Sequence, residues 1–199
     1  KLDGVLIAWN ENGQKSSEGN YKSGKLDGVL IAWNENGQKS SETNYTDDNP
    51  VSQTEYSYFE NGQMEYEVNK KYLEEDLSML EYLNWKWHGQ YTEWYENGQM
   101  RWKGSYNEEK IDGKWTQWYE NGQKKLEEYW KDDVPYGDWI SWKENGLKST
   151  EGSFKDGNGT YFELNENGQK VYQLDLIDSR TNYSYFYENG QKESEYILN

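Results

Sequence analysis

The side chains with chemistry to offer in this 199-residue chain are carboxylates and aromatic rings rather than nucleophiles. Cysteine is absent and His88 is the one histidine, so Cys-His and multi-histidine zinc arrangements cannot be assembled, and a Ser-His-Asp triad would have to be built on His88. His88 precedes Gly89 where other copies of the same motif carry Asp3, Asp27 and Asp112, which points to a loop histidine. Two carboxylates would suffice for glycoside hydrolysis. The most regular acidic residue, however, is the Glu of a Glu-Asn-Gly triplet found eight times, and a residue repeated along an array serves its architecture. Asp156-Gly157-Asn158-Gly159 and Asp47-Asp48-Asn49 lack the spacing and the distal bidentate Glu of an EF-hand, and read as solvated turns. No catalytic residue, no metal ligand and no cofactor is therefore expected.

The triplets also define the elements. Their glycines are Gly13, Gly37, Gly62, Gly98, Gly122, Gly146, Gly168 and Gly190, followed by Gln in every copy except Leu147. Aromatic and alternating residues flank each one, as in Trp115-Thr116-Gln117-Trp118-Tyr119-Glu120-Asn121-Gly122. Asn-Gly between such runs signals a hairpin with a type I′ turn, where both central residues take positive φ. Lys1 to Glu18 recurs letter for letter as Lys25 to Glu42. Repeats of about two dozen residues imply an array in which each hairpin buries its face against the next. The expected fold class is all-β, an elongated, twisted single-layer antiparallel sheet of about eight hairpins, forming one repeat domain over 1–199. The 36-residue spacing between Gly62 and Gly98 marks residues 67–86 as an insertion, read as a lengthened hairpin with a short helix over Leu73 to Leu83 as the alternative. Polar turns such as Lys22-Ser23-Gly24, Asn107-Glu108-Glu109 and Lys131-Asp132-Asp133 join the units. Pro50 and Pro135 fall in these connections, where a missing amide hydrogen removes no ladder bond.

A two-residue turn fixes the register. It places Gly4, Gly28, Gly89, Gly113, Gly137 and Gly159 opposite Tyr21, Tyr45, Tyr106, Trp130, Phe154 and Leu176. Nearer the turn it places Leu6, Tyr91 and Trp139 opposite Gly19, Gly104 and Gly152. Bulky groups over glycines make this the packed face. The other face carries Ile7, Ile31, Ile140 and Phe162 opposite residues such as Glu18, Glu42 and Glu151. Closer to the turns come Trp9, Trp33, Tyr58, Trp94, Trp118, Trp142, Leu164 and Phe186, with Arg101, Lys125 and Glu193 expected opposite three of them.

Composition narrows the partners. A mean hydropathy of −1.31 would suit a disordered chain, but 11 Trp and 19 Tyr supply the aromatic area that disordered chains lack. A net charge of −16 repels phosphate backbones and anionic membranes, so nucleic acid is a poor partner. No apolar run could span a bilayer as a helix, and no signal-peptide pattern is present. Lys1 already lies within a repeat, which leaves room for an upstream leader or further repeats. Absence of Cys fits either redox compartment; the expectation tilts slightly towards the cell surface or secretion.

The run Gly113-x-Trp115-x-x-Trp118-Tyr119-Glu120-Asn121-Gly122-Gln123-Lys124, with an aromatic eight residues after the turn Gly, resembles the variant MORN repeat of bacterial proteins. The resemblance covers nearly the whole chain, departing at Glu67 to Lys86, at Leu147, and at the aromatic-poor Ser52-Gln53-Thr54. It implies successive hairpins and a non-catalytic role in binding or scaffolding. Some members of that family are antitoxin components of toxin–antitoxin pairs, and others belong to envelope-associated proteins. The expected function is thus a repeat scaffold for protein–protein interaction. Its candidate surface is Trp9, Trp33, Tyr58, Trp94, Trp118 and Trp142 with Glu18, Glu42, Glu127 and Glu151 between them, suited to a basic protein segment. Two alternatives are an antitoxin- or immunity-like protein that neutralises a toxin by binding, and a glycan-binding adhesin. The Gly-Trp and Gly-x-Met-x-Thr-Gly signatures usual in glucan- and choline-binding hairpins are missing. Partner identity and oligomeric state are not encoded in these patterns.

Overall fold

The computed structural model describes residues 1–73, 85–178 and 180–198. Every regular element among them is a β-strand and every pairing is antiparallel, in agreement with the expected all-β hairpin array. The strands form two compact units, Lys1–Gly98 with Tyr106–Glu109, and Gln99–Ser105 with Lys110–Asn199. The helix considered over Leu73 to Leu83 lies, from residue 74 on, outside the described residues.

In the first unit β1 (Gly4–Trp9), β2 (Lys15–Lys22), β3 (Lys25–Trp33), β4 (Lys39–Thr46), β5 (Asn49–Tyr58), β6 (Met64–Tyr72) and β7 (Trp85–Trp94) pair in sequence order. β8 (Met100–Asn107) and the two-residue β9 (Lys110–Ile111) follow. The second unit continues with β10 (Gly113–Trp118), β11 (Lys124–Lys131), β12 (Val134–Pro135), β13 (Gly137–Trp142), β14 (Lys148–Lys155), β15 (Asn158–Leu164), β16 (Lys170–Ile177), β17 (Arg180–Phe186) and β18 (Lys192–Leu198). Again each strand pairs with its neighbours in the chain.

The outer register is as expected: Gly4, Gly28, Gly113, Gly137 and Gly159 face Tyr21, Tyr45, Trp130, Phe154 and Leu176. Leu6 and Trp139 likewise face Gly19 and Gly152. The packed face holds the most buried apolar side chains, Val68 at 1% exposure, Phe154 at 5% and Trp115 at 7%. Trp115 lies so directly over Gly104 that a Cβ there would stand 2.2 Å from the indole. Here the ring rescues the glycine across the strand pair β8–β10.

The turns depart from expectation. At Asn10-Glu11-Asn12-Gly13 the Gly13 amide donates to the Asn10 carbonyl (2.9 Å), and the Asn10 amide donates to the Gln14 carbonyl (2.8 Å). Gly13 has φ +83°, whereas Asn12 is not among the positive-φ residues. This is a type I turn closed by a left-handed glycine, a three-residue loop rather than a type I′ pair. The Asn instead works through its side chain. Its Oδ1 accepts the amide two residues on, as in Asn12 to Gln14 (3.0 Å) and Asn121 to Gln123 (2.9 Å). The longer loop shifts the pairing by one, and a bulge then restores it. Trp9 faces Lys15 while Ala8 faces Ser17, leaving Ser16 as the extra residue. Likewise Lys125 and Glu193, expected opposite Trp118 and Phe186, are the bulged residues; Lys124 and Lys192 take those places.

Type I′ geometry sits instead at the connections between hairpins. Glu108 and Glu109 have φ +50° and +70°, and Asp132 and Asp133 +50° and +67°. These turns clamp the preceding repeat. The Asp133 amide donates to the Ile111 carbonyl (3.0 Å) while its Oδ1 accepts the Ile111 amide (2.7 Å), and Asp48 treats Leu26 the same way. Gly157 repeats the first bond to the Pro135 carbonyl (3.2 Å). Pro135 has no amide hydrogen to place, and the residue facing it carries no acceptor. At the other end of the first unit, Asn12 Nδ2 reaches the Glu35 carbonyl (2.8 Å) and Gln38 Nε2 the Gly62 carbonyl (2.7 Å), tying successive tips together.

Candidate functional site

The face opposite the packed one is built from two repeat positions. Ile7, Ile31, Tyr56, Thr116 and Ile140 face Glu18, Glu42, Glu67, Glu127 and Glu151. Closer to the turns Trp9, Trp33, Trp118 and Trp142 face Lys15, Lys39, Lys124 and Lys148. The bulge decides the electrostatics. Residues three apart on a regular strand point to opposite faces, but one extra residue between them returns both to the same side. Lys15 therefore bonds Glu18 (2.6 Å), Lys124 bonds Glu127 (2.5 Å), and Lys39–Glu42 and Lys148–Glu151 form the same pair.

The expected site residues group within each unit. In the first, Trp9 is 59% exposed and Trp33 carries the Lys15 ammonium 5.6 Å from its ring centroid. Tyr58 and Trp94 are half-buried. Burial raises the Tyr58 hydroxyl above its ordinary pKa. Burial next to the Glu42 and Glu67 carboxylates pushes neighbouring Tyr56 up to about 12. In the second unit Trp118 and Trp142 are half-buried, and the Trp142 carbonyl accepts the Tyr119 hydroxyl (2.8 Å). Glu127 is the most enclosed of the four acids: burial opposes its ionisation, but hydrogen bonds from Lys114 and Lys124 outweigh that and hold its carboxyl below the ordinary value. Lys148 and Glu151 border a depression of about 370 Å³ with Ile140 and Phe162.

The surface is thus a grid of aromatic rings and lysine–glutamate pairs. Its lysines were not among the expected site residues. A signal existed, since Lys stands two residues after the turn Gly in six of eight units, the others having Met64 and Met100. For catalysis the geometry offers little. His88 lies in β7 rather than in a loop, and its Nδ1 is buried without a hydrogen bond. Among the described residues no group of His, Asp and Glu could hold a metal ion, and no helix is long and apolar enough to cross a membrane.

None of the curated proteins matches this sequence. Among solved structures, a TcdB2–TccC3–Cdc42 crystal structure aligns over 92% of this chain at 9% identity with a TM-score of 0.22, and the chain spans 13% of that protein. The Photorhabdus luminescens Tc holotoxin pore aligns over 92% at 9% identity and TM-score 0.22, with 14% of its length spanned. A Bacteroides fragilis protein of unknown function aligns over 98% at 12% identity and TM-score 0.15, with 93% of its length spanned. These alignments carry no functional weight. The model of the MORN repeat variant matches five segments, 2–23, 26–47, 54–69, 87–108 and 111–132, which together exceed half the chain. Each contains one hairpin strand pair or the turn that closes it, and on that match the chain belongs to the MORN repeat variant family.

Proposed function

We propose that this chain is a non-enzymatic scaffold that binds a protein segment of basic character on the aromatic and acidic face of its hairpins. The observation that carries this reading is the repeated grid itself. Trp9, Trp33, Trp118 and Trp142 keep part of their rings open beside carboxylates, although burial would reward covering them. In both units the principal packing runs between strands adjacent in the sheet, so among the described residues no second layer covers that face within a unit. A basic segment would exchange intramolecular lysines for its own cations, with the rings supplying apolar and cation–π contact. The chain's net charge of −16 favours the encounter.

The test is tryptophan fluorescence of the whole chain titrated with lysine- and arginine-rich peptides, acidic peptides and a glycan panel. Saturable binding of basic peptides that weakens between low and physiological salt, and is lost in Trp118→Ala/Trp142→Ala, is expected. Equal binding of acidic peptides would remove the reading, and a response to sugars alone would replace it with glycan recognition.

A further inference from the structure

The packed face of the second unit contains one carboxylate that breaks the repeat. The position six residues after the turn Gly is Gly19, Thr43, Val68, Gly104, Gly152, Leu174 and Tyr196 in seven units, and Glu128 in the other. Where the position is filled by an acid, the neighbouring strands leave a depression of about 340 Å³ lined by Leu126, Glu128, Trp139, Phe154, Tyr161 and Leu174 among others. Trp139 and Phe154 meet at 4.8 Å between centroids with planes 54° apart. Trp139 remains partly exposed.

Glu128 accepts one hydrogen bond, from Trp130 Nε1 to Oε2 at 3.1 Å. Among the described residues it has no ion-pair partner, in contrast to Glu18, Glu42, Glu127 and Glu151 on the other face. The serine and threonine hydroxyls beside it are already engaged: Ser141 Oγ lies 2.6 Å from both Ser149 Oγ and Thr150 Oγ1. Burial pushes the Glu128 carboxyl above its ordinary pKa, as expected of an acid withdrawn from water without a counter-charge. A half-buried acid at a position otherwise given to uncharged residues destabilises the fold unless something compensates it.

We propose that this depression binds an alkylammonium group, the side chain of a lysine on a partner protein, with Glu128 as counter-charge and Trp139 and Tyr161 as the aromatic wall. The site lies on the face opposite the tryptophan–lysine–glutamate grid and does not depend on the reading given for it. An ammonium fits better than a guanidinium. Trp130 occupies one oxygen of Glu128, leaving a single oxygen for a point charge rather than two for a planar fork. The alkyl stem packs on Leu126 and Leu174, and the aromatic faces add cation–π attraction.

The experiment titrates the whole chain with the N-acetylated, C-amidated peptide Gly-Gly-Lys-Gly-Gly, whose only ammonium is the lysine's, while following the Trp139 indole resonance. Matched peptides with norleucine or arginine in place of lysine, and tetramethylammonium, are titrated in parallel. Saturable binding of the lysine peptide is expected, with the norleucine and arginine peptides weaker by about tenfold or more. Glu128→Gln, which keeps an acceptor for Trp130 and hence the fold, is expected to lose about tenfold, and Glu144→Gln, at an exposed turn outside both faces' sites, to bind as the unaltered chain does. Equal affinity for the norleucine peptide, undiminished binding by Glu128→Gln, or no saturation by the lysine peptide overturns the proposal. Preference for tetramethylammonium overturns the assignment to lysine.

Discussion

Lys124 and Glu127 stand three residues apart on one strand, yet their charged groups meet at 2.5 Å on the same face of the sheet. Lys125, bulged out between them, makes this possible, and places its own ammonium 5.4 Å from the Tyr119 ring centroid. One inserted residue per hairpin thus converts an alternating strand into a row of ion pairs beside the tryptophans.

A Lys124/Glu127 double-mutant cycle is expected to return a coupling of about 0.5 kcal/mol, reduced by salt, because Lys124 is half open to solvent. Glu127 has its pKa lowered in the fold by Lys114 and Lys124. Its contribution is therefore present above the unfolded carboxylate value and lost as pH falls through the folded one. The Tm difference between the unaltered chain and Glu127→Gln should be full at neutral pH and close on acidification below about pH 4. A difference that grew on acidification would contradict the assignment.

The turns between hairpins should be more sensitive to substitution than their solvent exposure suggests. Asp133 holds φ +67° and accepts the Ile111 amide. Asp133→Gly removes the acceptor and keeps the conformation, at a loss of about 1 kcal/mol. Asp133→Ala removes the acceptor and adds left-handed strain, for a loss of about 2–3 kcal/mol. Asp132→Asn, at φ +50°, is expected to be neutral or stabilising. Urea denaturation of the three variants ranks them; equal losses for Asp133→Gly and Asp133→Ala would exclude the strain component.

The number of hairpins, the outer register and the two faces were legible because period-2 alternation and a repeated reversal overdetermine them. Gly113 opposite Trp130 and Gly137 opposite Phe154 follow from counting outward from Gly122 and Gly146. The turn type was not legible from Asn-Gly alone. Asn121 uses its side chain to hold the Gln123 amide, while true type I′ geometry fell to Glu108-Glu109 and Asp132-Asp133. There, bonds to the preceding repeat override intrinsic preference. Pairing errors stayed local because the bulge returns the register, so only residues next to the turns, Lys125 and Glu193 among them, changed places. The repeated lysine was visible as a letter, but its face depended on that bulge. Glu128 was visible as a break in the repeat, and only the cavity around it gives the break a meaning.

Glu128 makes its own pH prediction. Its pKa is raised in the fold, chiefly by burial, so its favourable contribution is present below the unfolded carboxylate value and disappears as pH rises through the folded one. Glu128→Gln should raise Tm at neutral pH, with the gain shrinking towards pH 4 as the native acid becomes protonated. A variant less stable than the unaltered chain at neutral pH would show that the carboxylate is compensated within the fold.

Packing of aromatic rings on bare backbone is tested most sharply at Gly104. A Cβ built there would lie 2.2 Å from the Trp115 indole, a distance no rotation of a methyl group relieves, and Trp115 is itself 7% exposed. Gly104→Ala must therefore displace the ring and is expected to lose about 2–3 kcal/mol or more by urea denaturation. Trp115→Leu alone loses about 2–4 kcal/mol through the cavity it leaves. In the double variant the smaller side chain accommodates the added methyl, so the combined loss should fall short of the sum of the two by about 1 kcal/mol or more. Additive losses would mean that Trp115 does not rest on Gly104 in solution, and the packed face would then owe its stability to backbone pairing rather than to rings laid over glycines.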